Sequence, residues 1–200
     1  MKVNITLRGI TPLILNRFHD AAAEAASSGT RNSSAAQDRG TPREIAQQKL
    51  YTGVNGELII PQPNLLRCLV DGGQFHKVGK TQVTTTSKSL LFGGALDIIA
   101  AEIPIKHSQP WTVDTRAVVI PATKGRILAH RPRFDDWELQ FEMIIDTSIV
   151  GEKLMRQIID DAGNRVGLGD FRPARKGPYG RFRVDQWQVV TEVGDLAWAA

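Results

Sequence analysis

The residues best equipped for chemistry lie together toward the C-terminal end, in Val166-Gly167-Leu168-Gly169-Asp170-Phe171-Arg172-Pro173-Ala174-Arg175-Lys176-Gly177-Pro178-Tyr179-Gly180-Arg181-Phe182-Arg183. Counted from Arg165, the stretch holds six basic residues and one acid. Glycine lets the backbone take positive φ and approach a ligand closely, exposing amide donors, and arginine offers a forked donor set to phosphate oxygens. Gly167, Gly169, Gly177 and Gly180 with Arg172, Arg175, Lys176 and Arg181 therefore read as a phosphate clamp. Phe171 and Tyr179 can stack on unpaired bases, which is worth roughly 1–3 kcal/mol per base and favours single strands over duplexes. The plainer alternative is a surface loop with solubilising arginines and turn-making glycines. Against it, four glycines in fourteen residues carry an entropic cost that solubility alone does not require. A dinucleotide fingerprint or P-loop does not fit: there is no strand-loop-helix context and no Gly-Lys-Ser/Thr ending.

A second basic segment, Gln74 to Ser89, carries Lys77, Lys80 and Lys88 and reads either as a loop reaching a nucleic-acid backbone or as a solvated loop. The acidic pairs Asp135-Asp136 and Asp160-Asp161 have no histidine nearby in sequence and read as a turn and a helix end rather than acid-base machinery. Cys68, among leucines, reads as a small buried hydrophobe. No Cys/His cluster has metal-ligand spacing, so no metal and no cofactor are expected.

The elements that must hold the loop begin with Val3, Ile5 and Leu7, which alternate with polar residues as in a half-buried strand. From about 17 to 40 follows an Ala/Ser/Asn/Gly-rich stretch without periodicity, expected to be a mobile insertion. Thr41-Pro42-Arg43-Glu44 has the residue types of a capping box with proline at N1, predicting a short helix to about Leu50. Asn55-Gly56 marks a turn, Glu57 to Ile60 a brief strand, and Pro63 to Val70 a helix closed by Gly72-Gly73. Strands are expected over 95–105, 113–121, 126–130 and 137–145, with Lys124-Gly125 a turn. A helix capped by Thr147 or Ser148 runs to about Ala162 and is closed by Gly163, and a last strand covers 182–187. With the insertion set aside, the order is β-α-β-β-α-β. This predicts an α+β, ferredoxin-like (RNA recognition motif-like) sheet.

At 200 residues one core, a single domain over 1–200, is expected. Hydrophobic residues at 42% and charged residues at 23% exclude wholesale disorder and fibrous folds. Lys and Arg total 25 against 21 Asp and Glu, a small excess that matters only where it clusters. One cysteine and no membrane-length apolar run point to a cytoplasmic protein without a membrane partner.

Gly177-Pro178-Tyr179-Gly180-Arg181-Phe182, between the last helix and last strand, resembles the glycine-rich loop of RAMP proteins, the backbone subunits of class 1 CRISPR effector complexes. Ile59-Ile60-Pro61-Gln62-Pro63-Asn64-Leu65-Leu66-Arg67 is similar to the segment opening their first domain helix, and Thr11-Pro12-Leu13 after the first strand is also RAMP-like. The resemblance implies an RNA-binding antiviral-defence subunit that oligomerises along a single-stranded guide RNA. Its implied partners are copies of itself in a filament, other effector subunits and a complementary target strand. It also implies a protruding β-hairpin, to which Arg126 and Arg131 would belong. Asp20 is the candidate for metal-dependent RNA cleavage, as some RAMP backbones use a loop aspartate. The longer loop and the modest length depart from the family pattern and leave open a phage or mobile-element relative. A structural or regulatory module whose basic loop meets an acidic partner is the third reading.

Overall fold

The computed structural model of the chain describes residues 1–18, 40–119 and 124–191. In its first half the elements are β1 (Lys2–Gly9), β2 (Leu13–Ile14), α1 (Pro42–Gln47), β3 (Ile59–Pro61), α2 (Gln62–Gly72), β4 (Lys77–Val78), β5 (Thr81–Gln82) and β6 (Leu96–Ile98). Then come β7 (Glu102–Lys106), β8 (Thr112–Val119), β9 (Arg126–Phe134), β10 (Glu138–Ile145), α3 (Glu152–Asp161) and β11 (Phe182–Thr191). The protein is of α+β build, with antiparallel sheets and few helices.

The period-two pattern of β1 sends Val3, Ile5 and Leu7 into the core, as the alternation requires. The strand is paired on both sides: Ile5 stands opposite Phe141 of β10 and opposite Trp187 of β11. The main sheet has the order β11-β1-β10-β7-β3, with β6 pairing the far end of β10. A second sheet joins β2 to β9 and β9 to β8, so that β8 and β9 form a long hairpin. Helix α1 ties onto that hairpin through Arg43, whose guanidinium lies 3.2 Å from the Trp111 ring centroid and donates to the Trp111 carbonyl at 2.8 Å.

Several local expectations hold. Thr41 caps α1, with the Glu44 amide donating to its hydroxyl and the Glu44 carboxylate accepting from its backbone amide at 2.8 Å. The β3 strand leads through Pro61 into α2, whose buried face includes Leu65, Cys68, Leu69 and Val70.

Others are corrected. Gly72 and Gly73 do not end a helix by left-handed geometry, since both have ordinary helical φ. Gly72 is small because a Cβ there would lie 2.7 Å from the Ala162 Cβ and 2.8 Å from the Ile158 carbonyl oxygen, across the α2–α3 contact. Gly163 likewise sits where a Cβ would meet the Phe182 carbonyl oxygen at 2.1 Å, and the chain continues through a π-helical turn, Ala162–Val166, to Gly167 at φ +73°. Thr147 and Ser148 do not cap α3. Ser148 donates to Asp146 from both amide and hydroxyl, closing a turn of its own, and the helix starts after Gly151. The expected strand over 95–105 is two strands, β6 and β7, each paired to β10. Strand β9 runs on to Phe134. The insertion expected over 17–40 falls largely outside the described residues, whereas Lys124-Gly125 lies within them, between β8 and β9, with Lys124 at φ +57° as a turn residue.

Trp137 links this framework to the loop described next. It is fully buried and packs edge-on to Phe182 at 6.2 Å. Its carbonyl accepts from the Gly9 amide and its indole nitrogen donates to the Thr11 carbonyl, both at 2.9 Å. Among the described residues no helix is long and apolar enough to cross a membrane.

Candidate nucleic-acid interface

The segment from Gly167 to Arg181 is built onto the strap Ile10–Ile14. Gly180 donates to the Pro12 carbonyl at 2.8 Å, Asp170 to the Ile14 carbonyl at 2.7 Å, and the Arg181 amide to the Thr11 hydroxyl at 3.0 Å. Within the segment, Leu168 donates to the Gly180 carbonyl at 2.9 Å, Gly177 to Arg172 at 3.0 Å and Tyr179 to Phe171 at 3.3 Å. The loop is therefore a closed, internally bonded unit.

This changes the role of its glycines. Three of the four amides expected to face a phosphate are used inside the protein: Gly167 donates to the Ala162 carbonyl at 2.8 Å, and Gly177 and Gly180 are bonded as above. What glycine supplies is close approach. A Cβ on Gly180 or Gly177 would stand 1.8 Å from the carbonyl oxygen of Leu168 or Phe171, and one on Gly169 would stand 2.3 Å from that of Ile14. Gly167, Gly169 and Gly180 also have φ near +70°, where glycine alone is unstrained.

The basic residues divide into two groups. Arg175 and Lys176 are exposed on the outer turn of the loop, with Lys176 itself in the left-handed region at φ +60°. Arg172 and Arg181 flank them and are half-buried. Arg172 donates to the Gly169 carbonyl at 2.8 Å and Arg181 to the Asn164 side chain at 2.9 Å, so both guanidinium groups are held in place. Beside the loop lies a cleft of about 260 Å³ between it and α2, lined by Asn16, Tyr51, Asn64, Arg67, Asp71 and Arg172 over an apolar floor that includes Cys68. Burial pushes the Cys68 thiol well above its ordinary pKa, and its sulfur donates to the Gly167 carbonyl at 3.3 Å, so it is a wall rather than a nucleophile.

The aromatic residues face inward. Tyr179 is buried to 9% exposure and its ring lies 6.1 Å from that of Phe171. The Arg116 guanidinium stands over Tyr179 at 4.7 Å and bonds its hydroxyl, and Arg133 stands over the same ring at 5.9 Å. Arg131 is paired with Asp170 at 2.8 Å. Three arginines on one face of the β8–β9 hairpin therefore grip the loop, whereas Arg126 belongs to the opposite face and is exposed. The Arg116 pKa lies above its ordinary value: partial burial works against the charge, and the hydrogen bonds and charge of Asp114, helped by Tyr179, outweigh it.

Lys77 and Lys80 are exposed on the β4–β5 hairpin and Lys88 in the loop beyond it, and none of the three lines the cleft. Asp20 lies outside the described residues. Among the described residues no group of three or more His, Cys, Asp or Glu side chains is arranged to hold a metal ion. Sequence reasoning omitted Arg67, Asn64, Arg116 and Arg133 from the site. Arg67 and Asn64 stand in the Pro61-to-Arg67 motif and were open to discovery there. Arg116 and Arg133 reach the loop only through long-range pairing that no local pattern announces.

No family model matches the chain and no curated protein matches it. It is similar in fold to a chain in a solved structure described as the cryo-EM structure of the type III-B Cmr-beta bound to cognate target RNA, with a TM-score of 0.55 and 10% sequence identity. The match covers 94% of this chain and 60% of that one, so the chain spans about 60% of the length of that neighbour. At that identity the likeness is one of fold.

Proposed function

We propose that this chain is a non-catalytic, single-stranded RNA-binding backbone subunit of a CRISPR-type ribonucleoprotein, of the RAMP kind, acting in the cytoplasm. Copies of it line a guide RNA, exposed to a complementary target strand, beside other effector subunits. The sheet order β11-β1-β10-β7, antiparallel throughout with α2 and α3 in the connections, supports reading it as a ferredoxin-like, split βαβ sheet. The likeness to a chain of an RNA-bound complex supports the choice of RNA. The observation that carries the reading is a rigid loop that presents Arg175 and Lys176 outward, with Arg172 and Arg181 fixed at their flanks, beside a cleft carrying Arg67. Fixed cations beside a groove bind a phosphate chain at little ordering cost, and the affinity they confer falls with salt.

The test is a fluorescence-anisotropy titration of labelled single-stranded RNA over a salt series, with the intact chain and with Arg175→Glu plus Lys176→Glu. The double variant is expected to bind at least about thirtyfold more weakly near 0.1 M salt, with a log K against log salt slope flatter by about one or more. Unchanged affinity and slope would sink the assignment of this loop.

A further inference from the structure

The β8–β9 hairpin touches the loop through a unit that the binding reading does not use. Asp114 is buried, and both its carboxylate oxygens accept from Nε of Arg116, at 3.0 and 2.9 Å. That pins the plane of the guanidinium. From this fixed position Arg116 bonds the Tyr179 hydroxyl, covers the Tyr179 ring at 4.7 Å and reaches the Phe171 ring at 5.8 Å.

Phe171 is where the loop needs support. Its φ is +50°, a left-handed conformation that disfavours a bulky residue by roughly 1–2 kcal/mol and persists only where neighbours over-determine it. The neighbours are visible. The Phe171 amide donates to the Asp170 carboxylate at 2.8 Å, its carbonyl accepts from Tyr179 at 3.3 Å, and its ring rests against the Tyr179 ring. Arg131 clasps Asp170 from the hairpin at 2.8 Å. The kink at Phe171 turns the chain from the strap toward Arg172, Arg175 and Lys176, so the direction in which those cations project depends on the aromatic pair that Arg116 grips.

We infer that Asp114 and Arg116 are positioning residues for the strand-binding loop, acting on it through Tyr179 and Phe171 from the hairpin and making no contact with the bound strand themselves. The inference rests on the reading of the loop as the RNA site. Arg116 is poorly suited to contact phosphate directly: Nε is committed to Asp114, one terminal nitrogen to Tyr179, and the adjoining carboxylate offsets its charge. The inference makes a prediction of opposite sign to simple electrostatics. Asp114→Asn removes a negative charge beside a polyanion site, which by charge alone strengthens binding. If Asp114 positions the loop, the same change releases Arg116 and weakens binding.

The experiment uses the full chain and labelled single-stranded RNA over a salt series, with hydrogen exchange read on the free protein. Asp114→Asn is expected to lower affinity about tenfold with an unchanged salt slope, since no phosphate contact is lost. Arg116→Lys keeps the charge but not the chelated, planar group, and is expected to behave the same way. In both variants the amides of Leu168, Gly177, Tyr179 and Gly180 exchange faster, whereas in Arg175→Gln they do not and the slope falls by about one instead. Full affinity in Arg116→Lys, stronger binding by Asp114→Asn, or unaltered exchange of those four amides overturns the inference. If the unsubstituted chain binds no RNA, the functional reading fails, and the exchange data still decide whether Asp114 and Arg116 hold the loop.

Discussion

Gly180→Ala is expected to dismantle the binding loop: single-stranded RNA affinity falls at least about thirtyfold and stability drops by about 3 kcal/mol or more, read by titration and by urea unfolding. Two penalties combine. Alanine at φ +67° enters a region that disfavours L side chains by roughly 1–2 kcal/mol. Its Cβ would also stand 1.8 Å from the Leu168 carbonyl oxygen, and backbone on both sides leaves no flexible tip to yield. Relief requires the two strands of the loop to part, which breaks the bonds from Leu168 to Gly180 and from Gly180 to Pro12. Gly79→Ala is the control. That residue has φ +58° and open space around it, so only the conformational penalty of about 1 kcal/mol applies, with RNA binding retained. Equal stability losses for the two variants would contradict the steric account.

Trp137→Ala is expected to lower unfolding free energy by about 3–5 kcal/mol, a large share of the roughly 5–15 kcal/mol typical of a native protein. The side chain is 2% exposed and contacts the core through Phe182, and its indole nitrogen satisfies the Thr11 carbonyl. Its removal leaves a cavity and an unpaired carbonyl in the strap that carries the loop. Trp137→Phe fills most of the cavity without the donor and is expected to fall between the two. A loss under about 1 kcal/mol for the alanine variant, measured by urea unfolding, would show that the site collapses freely and that the strap does not depend on it.

How far the fold was legible follows from the range of the interactions involved. Strand β1 was plain because alternation is local and both its neighbours bury the same face. The Thr41 cap was plain because its partner lies three residues away. Gly72, Gly163 and Ser148 misled because each has a local meaning, as terminator or cap, that a distant or competing partner overrides: Ala162 for Gly72, Phe182 for Gly163, Asp146 for Ser148. The loop was recognisable by composition but not by mechanism. Its glycines shape the backbone through close carbonyl contacts, and its aromatic rings are held by Arg116 and Arg133, residues far away in sequence that only the hairpin register delivers.

The most direct measurement of the central claim is the affinity of the unsubstituted chain for single-stranded RNA, against a duplex of the same sequence, as salt is raised. Four phosphate-neutralising cations at the loop give an expected log-log slope near −3 for the single strand, with weaker binding to the duplex. Absence of binding at low salt, or an affinity indifferent to salt, would contradict the account.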